Sequence, residues 1–186
     1  MSQRDGNQPK PAIEIPTNTS TPNPFPTHPS KPPRLIEKAT SQPIEVINEV
    51  FDQVSLSDLI DDLLPNWLRV AVINTQSPYS NENVRALLYE FYEQLIAFIT
   101  KLYHTSENKL LTNLSSTDFF HLCHIDYLQR ELADFLEASI GLDSKYPNGF
   151  SPWQALMVYN HVLCLVEAAY RLYTDQQTQC VVNTSL

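Results

Sequence analysis

From Val84 to Tyr103 the apolar side chains Val84, Leu88, Phe91, Leu95, Phe98 and Leu102 recur at alternating steps of four and three. That period predicts an amphipathic helix. Leu87, Tyr92, Ile96, Ile99 and Tyr103 widen the seam beyond the strip a two-stranded coiled coil uses. The helix is therefore expected to pack against two or more neighbours and to be the element around which the chain is organised.

Partner surfaces follow from the same pattern. A short helix is expected from Pro43 to Val54, with proline in its opening turn and Ile44, Ile47, Val50, Phe51 and Val54 on one side. Ser55 or Ser57 caps the next segment, in which Leu56, Leu59, Ile60, Leu63 and Leu64 form a stripe. Pro65 removes a backbone donor, and a break is expected there before a helix through Trp67, Leu68, Val70, Ala71 and Ile73. Residues 69–73 are β-branched enough for a strand, but no second strand candidate exists to pair with them. Asn74 to Ser80 reads as a turn, with Ser80 as cap of the long helix.

After Tyr103 a polar connection is expected, pinned to the body by Leu110, Leu111 and Leu114. Ser116 or Thr117 then caps a third long helix that Gly141 ends. Its seam is His121, Ile125, Leu128, Leu132 and Phe135. Asn148-Gly149 marks a turn in the following loop. Ser151-Pro152 starts a last helix with Leu156, Tyr159, Leu163, Val166, Tyr170 and Tyr173 as seam, and the polar residues beyond Asp175 are expected to fray. A shift of 67 residues lays Tyr92, Leu95, Ile96, Phe98, Ile99 and Tyr103 onto Tyr159, Val162, Leu163, Leu165, Val166 and Tyr170. Any two core helices share such an echo.

Composition divides the chain. Ten of its fourteen prolines precede Ile44, and residues 1–43 show no hydrophobic period, so they read as a disordered Pro-rich arm. Residues 1–43 hold five Lys or Arg against three Asp or Glu, whereas residues 44–186 hold seven against eighteen. An acidic body repels phosphate backbones, so nucleic-acid binding is not expected. No apolar run approaches a bilayer span, and residues 1–10 carry no signal-like apolar core; the expectation is no membrane association and a cytoplasmic location.

Candidate chemistry is sparse. Pro29, Pro32 and Arg34 spell P-x-x-P-x-R, the form in which a polyproline helix meets an aromatic groove and acidic groups, though a proline-rich linker produces the same pattern by composition. Asp58, Asp61 and Asp62 cluster near a helix start, where the macrodipole accounts for them. Asp118, His121 and His124 are spaced to put three metal-type ligands on adjacent turns, with Asn160, Glu167 or Glu131 as further donors. The Glu-x-x-His pairs of a di-iron bundle and the His-Glu-x-x-His of a zincin are both missing. Three glycines, Gly6, Gly141 and Gly149, supply no phosphate-cradling loop. Cys123, Cys164 and Cys180 show no metal or redox spacing, and the first two read as small core residues.

Nine tyrosines and eight phenylalanines exceed what the innermost layer of a small bundle holds, so some rings belong at its boundary, where Tyr is suited to an interface. The expected protein is an all-α, up-and-down helical bundle of about four core helices plus a short N-terminal helix. Its divisions are an arm over 1–43, a bundle over 44–175 and a flexible tail over 176–186. The functional expectation is a non-catalytic interaction or regulatory protein. Its acidic, aromatic-bearing surface binds another protein or a second copy, with no catalytic residue and no cofactor. The alternative is a bundle holding a buried metal or small molecule near His121 and His124, with enzymatic activity left open.

Overall fold

The computed structural model describes residues 35–74, 77–111, 119–120, 123–140 and 150–184, with side chains described to residue 178 in the last stretch. Among them all regular structure is helical, as the patterning requires, and no helix is long and apolar enough to cross a membrane.

The first helix, α1 (Leu35–Ser41), lies inside the stretch expected to be part of the arm. Residues 1–34 lie outside the described residues. Ala39 is buried and Leu35 and Ile36 pack against the core, so the apolar content that orders this turn begins earlier than the change in proline density. Pro43 opens α2 (Pro43–Gln53), which buries Val46, Ile47 and Val50 while Ile44 faces out. Lys38 of α1 reaches Glu45 at 3.3 Å and Glu49 at 3.1 Å, tying the two helices together.

No break occurs at Pro65. Residues 58–63 form a π turn that runs directly into α3 (Leu64–Ile73), and the Leu64 N–H bonds the Leu59 carbonyl five residues back. The wide turn is the physical alternative to a break: an α-turn would drive the proline ring against the carbonyl four residues earlier. Ser55 Oγ accepts from the Asp58 N–H at 3.0 Å, as expected of a cap.

A 3-10 turn (Pro78–Ser80) leads into α4 (Glu82–Glu107). Asn81, not Ser80, is its cap, accepting from the N–H groups of Asn83 and Val84 at 2.9 and 3.4 Å. The seam residues Leu88, Phe91, Leu95, Phe98 and Leu102 are buried and Val84 is half-buried. Leu87, expected in the widened stripe, is 64 % exposed. One step from Leu88 is about 100° around a helix, which carries it beyond the arc that α4 buries. The helix also runs past Tyr103 through what was expected to be loop, ending where Lys109 takes a left-handed φ of 56°.

Helix α5 (Ile125–Ile140) buries Ile125, Leu128, Leu132 and Phe135. It starts later than expected: Cys123 and His124 are not helical, and the proposed start at Ser116 or Thr117 lies outside the described residues. Helix α6 (Pro152–Thr184) opens with a capping box, Ser151 Oγ accepting from the Gln154 N–H at 3.3 Å and Gln154 Oε1 from the Ser151 N–H at 2.8 Å. Its backbone stays helical past Asp175, where fraying was expected.

The organising element is α6 rather than α4. It packs against α1, α2, α3, the π turn and α5, and residues 161–166 are buried without interruption. A stretch buried on every side marks the centre of its bundle. Of the expected seam Leu163 and Val166 are buried, Tyr159, Tyr170 and Tyr173 are half-buried and Leu156 is exposed, while Ala155, Val158, Val162, Leu165, Ala169 and Leu172, each one position earlier, form a second line that is buried throughout. Small and branched side chains let neighbouring backbones approach, while tyrosines keep their hydroxyls at the boundary.

Gln129 of α5 donates to Glu167 of α6, and Phe91 and Phe98 of α4 meet Tyr127 and Phe120. In the second set the contacts advance along one segment as they recede along the other. Helix α4 therefore runs antiparallel to the segment that leads into α5.

Candidate functional site

Of the three residues proposed from sequence as metal ligands, only His124 lies among the described residues. His124 sits at the N-terminus of α5 with its side chain 72 % exposed, pairing with Asp126 at 3.4 Å, while its carbonyl accepts from Tyr127 and Leu128. It is a surface residue at a helix start, whereas an uninterrupted helix would have turned it toward the bundle. Asp118 and His121 lie outside the described residues, as do Pro29, Pro32 and Arg34.

Glu167 is engaged with Gln129, and Asn160 is exposed. Among the described residues no three His, Cys, Asp or Glu side chains are grouped to hold a metal. The Asp58, Asp61 and Asp62 cluster is answered locally: Ser57 Oγ donates to Asp61 at 2.9 Å and Asn66 Nδ2 to Asp62 at 2.7 Å.

The buried polar groups serve packing. Asn74 Nδ2 donates to the Ala138 carbonyl at 2.8 Å, joining the end of α3 to the end of α5. Ser77 Oγ closes onto the Ala71 carbonyl at 3.0 Å. Burial pushes the Cys164 thiol up to about 12, with Glu167 and Glu49 adding to the shift, and raises Cys123 for the same first reason. Both thiols are therefore held protonated at neutral pH, the opposite of an activated nucleophile. A shallow cleft of about 110 Å³ between Ile44, Asn48, Ser106, Lys109 and Leu111 has no paired acid and base to do chemistry and is small for a drug-sized ligand.

What stands out instead is apolar surface at one end of the bundle. Trp153 is 73 % exposed on the first turn of α6, and Leu156, three residues on and thus on the same face, is 37 % exposed. Trp67 touches both Phe135 of α5 and Tyr159 of α6, so with the Gln129–Glu167 hydrogen bond the two helices run antiparallel. Moving equally far along both from that bond brings Ile140 level with Leu156, and the Asn74–Ala138 bond holds Ile73 at the same end. Ile73 and Ile140 are each 46 % exposed.

Sequence reasoning passed over Trp153 because it lies off the seam. That was itself the available signal: a tryptophan placed off-register just after a Ser-Pro helix start has no interior to enter. Protein-family models, curated proteins and solved structures, compared with this chain, give no match.

Proposed function

We propose that this chain is a non-catalytic interaction protein whose acidic helical bundle docks another protein at the end that carries Trp153. The observation that carries this reading is a tryptophan 73 % exposed on an ordered helix, with Leu156 beside it and Ile140 and Ile73 at the same end of the bundle. Interfaces draw most of their energy from a few such anchors, with Trp foremost, ringed by near-neutral contacts that exclude water. The body's acid excess supplies a charged surround that steers encounter and rejects acidic competitors.

The test is affinity recovery from the native host with the full chain and with a Trp153→Ala, Leu156→Ala variant. Specific proteins should be retained by the first and lost by the second, at unchanged thermal midpoint. Equal recovery by both sinks the reading. Sedimentation of the purified chain distinguishes a second copy as occupant, since self-association would then disappear in the same variant.

A further inference from the structure

The joint between α2 and α6 holds a histidine in an unusual setting. His161 is buried to 9 % exposure amid the continuous apolar run of α6, with Val162, Leu163, Cys164 and Leu165 following it. Its Nε2 lies 3.2 Å from Gln53 Oε1 near the end of α2, and its Nδ1 is buried with no hydrogen-bond partner. With Nε2–H donating to the glutamine oxygen, the ring is neutral and Nδ1 carries the lone pair. A second proton would have to enter at Nδ1, where no acceptor waits for the new N–H.

Among the described residues no carboxylate stands ready to balance that charge. On α2, Glu49 is held by Lys38 at 3.1 Å and Asp52 is exposed. On α6, Glu167 is taken by Gln129 of α5, and Cys164 is a neutral thiol. On the π turn, Asp58, Asp61 and Asp62 are exposed. From α1 comes a cation, Lys38, whose Nζ lies on Glu45 and Glu49. Burial alone holds the imidazole below its ordinary range.

We infer that His161 is an acid-sensitive latch: neutral, it lets α1 and α2 close on α6, and its protonation releases that pair of helices before the rest of the bundle. The sign follows from linkage. A histidine that titrates lower in the folded chain leaves stability intact above the unfolded value of 6.5 and withdraws it as pH falls below. Release is local because α1 and α2 meet the body chiefly along α6, with α2 also touching α4 through Phe51 on Tyr103 and Asn48 on Ser106.

Hydrogen exchange of the full chain at about pH 5 and about pH 7.5, corrected for intrinsic rates, reads the latch directly. Peptides covering residues 35–53 should exchange severalfold faster at the lower pH, with those of α5 unchanged. His161→Gln should abolish the difference. Gln53→Glu places a carboxylate beside the ring and should preserve protection in acid. The proposal is overturned if acid loosens α5 equally, if the difference persists in His161→Gln, or if Gln53→Glu opens more readily than the parent. Should His161→Gln not fold, the Gln53→Glu result decides.

Discussion

Trp67 lies face to face on Phe135, ring centroids 4.2 Å apart and planes 22° from parallel, where α3 meets α5. Tyr79 turns its edge to Phe135 at 6.2 Å and Tyr159 meets Trp67 edge-on at 6.5 Å, so one aromatic cluster joins α3, the 3-10 turn, α5 and α6. Trp67 and Phe135 are both fully buried, and the indole N–H has no partner. Phe135→Ala should lower stability by about 3–5 kcal/mol, the usual cost of emptying a buried phenylalanine site. Urea unfolding followed by circular dichroism measures it, and a loss under about 1 kcal/mol would show that the cluster is not a centre of the fold.

The two tryptophans should behave oppositely toward a neutral quencher. Acrylamide should quench the emission of Trp153 readily and that of Trp67 hardly at all, giving a curved quenching plot that becomes nearly flat in Trp153→Phe. The Trp153→Phe change should leave stability within about 0.5 kcal/mol, as surface substitutions do. A plot that stays steep in that variant would place Trp67 at the surface.

Buried thiols should resist alkylation. Because burial raises both Cys123 and Cys164, the latter to about 12, neither should react with iodoacetamide at about pH 8 on the time scale in which free cysteine is consumed. Both should react at once in denaturant. Peptide mapping identifies the sites, and prompt native labelling of Cys164 would contradict its place in α6.

The partial burial of Glu131 sets the sign of a pH dependence. Partial burial raises its carboxyl, Asp134 nearby adds to the shift, and Arg130 opposes both. A carboxyl that titrates higher in the folded chain contributes stability below its unfolded value of 4.5 and loses it as pH rises through the folded value. Glu131→Gln should thus raise the urea midpoint at neutral pH and change little at about pH 3. A lower midpoint at neutral pH would show that the charged form is the one the fold favours.

Much of this was legible along the chain. The steps of four and three through Leu88, Phe91, Leu95, Phe98 and Leu102 and through Ile125, Leu128, Leu132 and Phe135 are satisfied by burial of every one of those residues. The Ser151-Pro152 start was legible too, because a cap acts over three residues and needs no distant partner. Asn81 won over Ser80 because the two differ by one residue, and the entering 3-10 turn decides which faces the free N–H groups.

What sequence alone determined is that the chain forms amphipathic helices, where most of them run and, for α4 and α5, which side is apolar, because these depend on spacing within a few turns. Tertiary structure decided the rest. It made α6 the centre by packing α1, α2, α3 and α5 around its Ala, Val and Leu side chains and left the bulkier tyrosines at the boundary, and it carried the helix through Pro65 by a π turn. It also turned His124 outward, left Trp153 uncovered and enclosed His161 with an unpaired nitrogen. Each of these depends on which helices lie alongside, and that is set by side chains tens of residues apart meeting in one interior.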